Sequence, residues 1–399
     1  MLTTFLNRLS VVLGRNRGML QCWPARVVHS GTANLKGQAM IARRSTSLLL
    51  EPNNIQPSDC ESEVIGVFNP AVAQIGNELY MLARVAERPA ERRAGWTALP
   101  RWSSPGKSEP NWVRDEDIIP TDARVVAITG SGDLRLTSVS HLQLFRSTDG
   151  DGERWEFVAA ILPEGSWEEF GIEDPRITAI DNTYWITYVA VSRSGAATAL
   201  MSTTDFATFH RHGIIFASEN KDVVLFPGRV AGDFVALHRP NPHSHFSPPE
   251  IWLAHSPDLV HWGRHEFVLR GVRAWEGDRV GSGTPPLLCD EGWLTLYHGS
   301  TQSRVAGMVG RYCAGTLLLD RDQPHRVLAR SHQPIMQPTT DFETNGFVPN
   351  VIFPTAMMDR GDDLQVFYGA ADTCVASARF SKQSVLGSLE FQNGSKSQQ

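Results

Sequence analysis

The chain has 399 residues, enough to bury a large core as two domains or as one large all-β domain. Its formal charge of −6 argues against general binding to nucleic acid or to an anionic membrane surface. Five cysteines (Cys22, Cys60, Cys289, Cys313 and Cys374) show neither a CxxC pair nor metal-ligand spacing, which fits reduced thiols in a cytoplasm and not a disulfide framework.

Residues 1–50 contain no Asp or Glu but carry Arg8, Arg15, Arg17, Arg26, Lys36, Arg43 and Arg44. The longest apolar run there, "LSVVLG", is too short for a secretory core or a membrane span. The expectation is a disordered extension, or a start placed too early with Met19 or Met40 as the real one. A single catalytic domain is expected over 51–385, with an insertion around 86–139 that is Pro- and Arg-rich. Such an insertion either caps a channel and shapes the acceptor subsite or makes a contact in a homo-oligomer. Residues 386–399, ending "QNGSKSQQ", read as a frayed tail.

From about residue 64 to 380, short apolar or aromatic runs alternate with Gly, Asp, Asn and Pro clusters, and long helical periodicity is missing. A unit recurs: a Pro-containing entry, an apolar strand, a turn, an aromatic strand. Its copies are "NPAVAQIGNELYMLARV" at 69, "EDPRITAIDNTYWITYVAV" at 173, "FPGRVAGDFVALHRP" at 226, "TPPLLCDEGWLTLYHG" at 284 and "PNVIFPTAMMDRGDDLQVFYGAAD" at 349. Three are followed by a second echo, a strand ending in Ser or Thr, then Asp, then an aromatic. Five such units predict an all-β, five-bladed β-propeller, with a β-sandwich as the alternative. In a propeller the strand opening each blade lines a central channel, so polar residues far apart in sequence meet there.

Those openers carry Asn69 and Arg84, Asp174 and Arg176, Arg239, His298, and Asp372. Lys221, Arg239, Arg279 and His298 each flank or end such a strand. Only five lysines occur in the chain, so one beside an apolar strand is hard to read as a solubilising charge. An acid paired with cations fits phosphorolysis of a glycosidic bond, where phosphate replaces the water and base of a hydrolase. Trp275 and Trp293 read as core, "RPNPHSHF" as a loop without a third metal ligand, and "VGSGTPP" as a tight turn lacking the lysine of a phosphate loop.

In order, "GIEDPRIT", "NKDVVLFPGRV", "ALHRP", "IWLAHSPDLVHWG", "WEGDRVGSGTPPL", "GWLTLYHG", "GFVPNVIFP" and "VFYGAAD" resemble glycoside hydrolase family 130, the β-mannoside phosphorylases and their relatives. The resemblance spans roughly residues 64–380 and implies a five-bladed propeller. It also implies inverting attack of phosphate on a β-mannoside, yielding α-mannose 1-phosphate. It assigns the general acid to Asp174, acting through the mannosyl 3-hydroxyl, with Glu173 and Arg176 as its positioning shell. It assigns phosphate to Lys221, Arg239, Arg279 and His298, and the mannosyl unit to Asn69, Arg84 and Asp372. Lys221 stands where Arg is expected and Arg279 where Lys is common; both changes keep the charge and alter its geometry. No metal or organic cofactor is implied, and inorganic phosphate is a co-substrate. Two alternatives remain: a hydrolase using Glu276 or Asp278 as base, and a carbohydrate-binding propeller without activity.

Overall fold

Short apolar runs separated by Gly, Asp and Asn turns fold as antiparallel strands. In the computed structural model, which describes residues 41–104, 106–241, 246–303 and 309–391, these strands fall into five sets. The first set is Ser62–Ile75, Glu78–Pro89, Val139–Ser147 and Glu156–Ile161; the second is Gly171–Ile180, Thr183–Ser192, Gly195–Thr203 and His210–Phe216. A single parallel bridge between Gly171 and Ser140 joins these two. The third set is Asn220–Val230, Asp233–Pro240, Ile251–Ser256 and Gly263–Leu269. In the fourth, Arg279–Ser282 and Leu287–Cys289 both pair with Gly292–Ser300, which is followed by Tyr312–Leu319 and Val327–Ser331. The fifth set is Ile352–Asp359, Asp363–Ala370 and Cys374–Ser381, completed by Ser45–Leu50 from the other end of the chain.

Turn chemistry explains the hairpins. Gly76-Asn77, Asp181-Asn182 and Ala231-Gly232 are two-residue turns in which Gly76, Asp181, Ala231 and Gly232 have positive φ, the geometry that continues the strand twist. Alternation along each strand then buries one face per neighbour. Of six apolar clusters among the described residues, five lie one at each junction between consecutive sets, and the sixth packs Leu136 of the insertion with Phe170 and Val189. Leu82 and Leu142 meet Ile177 and Tyr188; Leu200 meets Val223 and Leu225; Val224 and Leu253 meet Trp293 and Leu317; Leu296 meets Ile352 and Val366; Phe367 and Val375 meet Val67 and Met81. Each fully buried Leu, Ile or Val contributes about 1.5–3 kcal/mol.

A polar contact recurs inside this frame. Trp167-Glu168, Trp275-Glu276 and Phe342-Glu343 each sit in a one-turn helix ahead of a set's first strand. Each glutamate is buried and accepts from a tyrosine on the second strand: Tyr188 Oη to Glu168 at 2.8 Å, Tyr297 Oη to Glu276 at 2.6 Å, Tyr368 Oη to Glu343 at 2.7 Å. Arg211, Arg330 and Arg43 supply the countercharge. The second oxygen of each carboxylate takes backbone N–H groups three or four residues upstream, from Glu164, from Val272 and Arg273, and from Thr339 and Thr340. Removing a hydrogen bond to a buried charge costs about 1.5–3 kcal/mol. Tyr297→Phe is therefore expected to lose that much in urea unfolding; a loss below about 0.5 kcal/mol would show the contact to be incidental.

Three expectations shift at the edges. The extension does not reach residue 50, because Ser45–Leu50 is a strand of the fifth set; residues 1–40 lie outside the described residues. The tail begins later than 386, because Leu389–Phe391 pairs with Val327–Ser331, a role its exposed, polar-flanked sequence conceals; residues 392–399 are outside the described residues. "VGSG" is not a turn: Arg279–Ser282 is a strand with Gly281 opposite His298. Between Pro89 and Val139 the insertion folds as a hairpin, Trp96–Ser104 with Lys107–Arg114, and a three-stranded sheet, Ile118–Pro120, Val125–Ile128 and Leu134–Leu136. The four described cysteines are free, and among the described residues no helix is long and apolar enough to cross a membrane.

Candidate active site

The first strands of sets one, two and three each carry a register shift at the same place, between Phe68 and Ala71, between Glu173 and Arg176, and between Lys221 and Val224. In each bulge one residue has positive φ: Asn69 at 49°, Asp174 at 49° and Asp222 at 56°. Asn and Asp tolerate this conformation better than other side-chain-bearing residues, and a bulge re-aims the side chain at its centre. All three side chains face one cavity of about 210 Å³. Two glycines make room behind them. A Cβ on Gly369 would lie 2.0 Å from Asn69 Oδ1, and one on Gly281 would lie 2.2 Å from Asp222 Oδ2.

Asp174 Oδ1 accepts from Asn69 Nδ2 at 2.7 Å and from Arg84 Nη1 at 3.0 Å. Arg84 also donates Nη2 to Glu173 Oε1 at 2.9 Å and Nε to Ser140 Oγ at 3.0 Å, which fixes its fork between the two carboxylates. Burial pushes the Asp174 carboxyl up. The Arg84 charge, the Asn69 hydrogen bond and the Arg176 and Lys221 charges outweigh this and hold it well below the usual carboxylate range. Asp372, at φ 48°, faces the same cavity and goes the other way: burial pushes it up to about 6, against the pull of Arg84. Two neighbouring carboxyls with acidities driven apart are the usual mark of a site built for proton handling.

The same cavity is lined by cations. Lys221 and Arg239 face each other across the ladder of the third set, and Arg279 starts the fourth. Among the described residues no hydrogen bond or ion pair engages the Lys221 ammonium. Burial lowers its pKa, the Glu173 charge pulls it back up, and the Arg124 and Arg239 charges lower it further. Arg239 pairs through Nε with Asp222 Oδ2 at 2.8 Å, and its buried Nη1 has no partner. Arg279 Nε donates to Asp278 Oδ2 at 2.6 Å. Tyr312 and Phe353 close this end, while Phe68, Phe347 and Val348 give the cavity an apolar side. Unpartnered donors facing a cavity fit an anion with several acceptor oxygens.

The cavity brings together Asn69, Arg84, Glu173, Asp174, Lys221, Arg239, Arg279 and Asp372, eight of the residues singled out from sequence. Two others stand behind it. Arg176 spans to the fourth set, donating Nε to Gly283 O at 2.7 Å and stacking on Phe353, so it is a strut between sets. His298 is completely buried against Phe353, 3.4 Å from Asp222 Oδ2; burial pulls it down to about 3, so it is neutral at physiological pH and not one of the cations. Sequence reading missed Asp222, Tyr312 and Arg124. Asp222 was legible in principle, as the third member of the bulge series that starts with "FNP" and "EDP".

The proposed bases of a hydrolase are elsewhere. Glu276 is buried in the fourth set's tyrosine contact, and Asp278 is occupied by Arg279 and by Ser300 Oγ at 3.1 Å; neither lines the cavity. Trp275 and Trp293 are core residues, as expected from sequence. Residues 242–245, with the HxH pair, lie outside the described residues, and among the described residues no group of three His, Cys, Asp or Glu is arranged to hold a metal.

The family model described as β-1,4-mannooligosaccharide phosphorylase matches residues 133–390. The β-1,2-mannobiose phosphorylase of Listeria innocua is 37% identical over 359 residues, covering 88% of this chain and 99% of that protein. A solved β-1,2-mannobiose phosphorylase from Listeria innocua, in complex with β-1,2-mannobiose, superposes with a TM-score of 0.79 at 36% identity, over 85% of this chain and 96% of that one. The β-1,4-mannooligosaccharide phosphorylase of Ruminococcus albus is 34% identical over 249 residues, 60% of this chain and 73% of the relative.

Proposed function

Because the chain belongs to glycoside hydrolase family 130, we propose that it is an inverting β-mannoside phosphorylase, cleaving the mannosidic bond with inorganic phosphate to release α-mannose 1-phosphate. The observation that carries this reading is one cavity that holds both the Asp174 carboxyl and two donors without protein partners among the described residues, the Lys221 ammonium and Arg239 Nη1. Phosphate held by Lys221, Arg239 and Arg279 attacks the anomeric carbon while the bond to the leaving oxygen breaks. Asp174 supplies the proton that oxygen needs, relayed through the mannosyl 3-hydroxyl. Asn69, Arg84 and Asp372 surround the mannosyl unit on the Asp174 side. An already anionic nucleophile needs no general base, and a lectin needs no such cations.

The five sets are then the blades of a five-bladed β-propeller. Three observations support this: each set follows the one before it in sequence, an apolar cluster lies at every junction including that of the fifth with the first, and the first strands adjoin at four of the five junctions. The bulges of the first strands would face the central channel.

The names of the relatives put β-1,2-linked mannosides first in the order of testing. The purified protein is incubated with β-1,2- and β-1,4-mannobiose and with mannosyl-glucose, with and without phosphate, and the products are separated. Mannose 1-phosphate formed only with phosphate is the expected result. Free mannose formed equally without phosphate would replace the reading with hydrolysis.

A further inference from the structure

The insertion reaches the acid. Its turn at Thr121–Val125 is fixed by its own hydrogen bonds: Asp122 Oδ1 accepts from the backbone N–H of Arg124 at 2.8 Å and of Val125 at 2.7 Å, Thr121 N–H donates to Val125 O at 2.9 Å, and Thr137 N–H donates to Arg124 O at 3.0 Å. From this turn Arg124 Nη1 donates to Glu173 Oε1 at 2.8 Å, the same oxygen that Arg84 holds at 2.9 Å. Glu173 is 2% exposed, so its carboxylate is caught between two guanidiniums, one from the first set and one from the insertion. Earlier in the insertion, Trp102 N–H donates to Glu169 O at 2.7 Å, so the inserted segment grips the entry of the acid-bearing strand at a second point. Asp122, Ala123 and Arg124 thereby line the cavity beside Asp174.

We propose that Arg124 is a positioning residue for the acid, acting through the chain Arg124, Glu173, Arg84, Asp174. The physical reason is competition for one guanidinium. Arg84 divides its fork between Glu173 and Asp174. With Arg124 sharing the negative charge of Glu173, Arg84 can keep Nη1 on Asp174; without it, Glu173 draws Arg84 toward itself and Asp174 loses a partner that fixes its rotamer. The insertion is then part of the reaction site and not an appendage, and its position decides whether the acid is aligned.

The inference rests on the phosphorylase reading, and the experiment separates the two. Arg124→Gln and Arg124→Lys are prepared in the full chain, and kcat and both KM values are measured on the best mannobiose, scoring mannose 1-phosphate and mannose together. Misalignment of a reacting group by about an ångström costs on the order of 100-fold, so Arg124→Gln is expected to lower kcat by roughly that factor while the phosphate KM stays within about 3-fold. Arg124→Lys, which keeps a cation on Glu173, is expected to recover at least about a tenth of the wild-type kcat. A role confined to folding would lower the thermal midpoint and the active fraction in both variants without the recovery by lysine. A kcat for Arg124→Gln within about 3-fold of wild type overturns the inference and leaves the phosphorylase reading standing. If the wild type yields mannose in place of its 1-phosphate, the reading falls while the Arg124 effect is still read from the rate of that product. Absence of both products from the wild type overturns both.

Discussion

Asp174→Asn is expected to lose roughly a thousand-fold or more in kcat while still binding mannobiose, because the amide keeps the contacts of the bulge and cannot supply the proton. Kinetics plus equilibrium sugar binding check this, and a kcat within 10-fold of wild type would remove Asp174 from the role. The acidity of this group adds a second signature. In the empty site the surrounding cations hold Asp174 ionised, so the proton must be taken up once substrates are bound. Phosphate on Lys221, Arg239 and Arg279 partly neutralises charges that depress the carboxyl, raising its pKa in the ternary complex. The basic limb of the pH–rate profile is therefore expected to lie at higher pH at saturating than at low phosphate. The stability effect has the opposite sense: a depressed carboxyl stabilises the fold above its unfolded value, and that contribution disappears as pH falls through the folded value. The melting difference between wild type and Asp174→Asn should accordingly shrink on acidification.

Lys221→Met is expected to raise the phosphate KM by about 10- to 100-fold, the worth of a hydrogen bond to a charged group, with a smaller change in the sugar KM. Its informative partner is stability. Burial lowers the Lys221 pKa, so at pH values below it the fold bears the penalty of a desolvated charge, relieved only as pH rises past the folded value. Methionine removes that penalty at similar volume, and Lys221→Met should melt at the wild-type temperature or above. Arg239→Met is the contrast, because it leaves the 5% exposed Asp222 without its cation, a loss on the order of 3–5 kcal/mol. Equal rises in both KM values for Lys221→Met, with a lowered melting temperature, would make the lysine a structural element.

Much of this site was legible in the chain because bulge chemistry leaves a local trace. "FNP" and "EDP" put a residue that accepts positive φ ahead of a proline, and the repeated units placed these dipeptides on equivalent strands. What escaped was decided by tertiary partners. Arg176 is a companion of Asp174, donating Nη1 to its backbone carbonyl at 3.1 Å, and also bonds a carbonyl of the fourth set, which no local signal announces. His298 sits in a cationic context, yet complete burial keeps it neutral. The "WE" of "AWEGDR" resembles a candidate base until Tyr297 and Arg330 are seen on its carboxylate. Arg124 lies in a segment with no repeat to align it, and only the folded insertion brings it to Glu173.

The completion of the fifth set by Ser45–Leu50 has a kinetic consequence. Arg44 and Asp363, which pair beside that strand, are 319 residues apart in the chain. Sets two, three and most of four are built from neighbouring residues and can form while the chain is still being synthesised, but the outer edge of Cys374–Ser381 stays open until the two ends meet. The entropic cost of that long-range closure comes before its contacts are gained. It is expected to be the slow step of folding, and the interval during which an unpaired strand edge leaves the chain most vulnerable to aggregation.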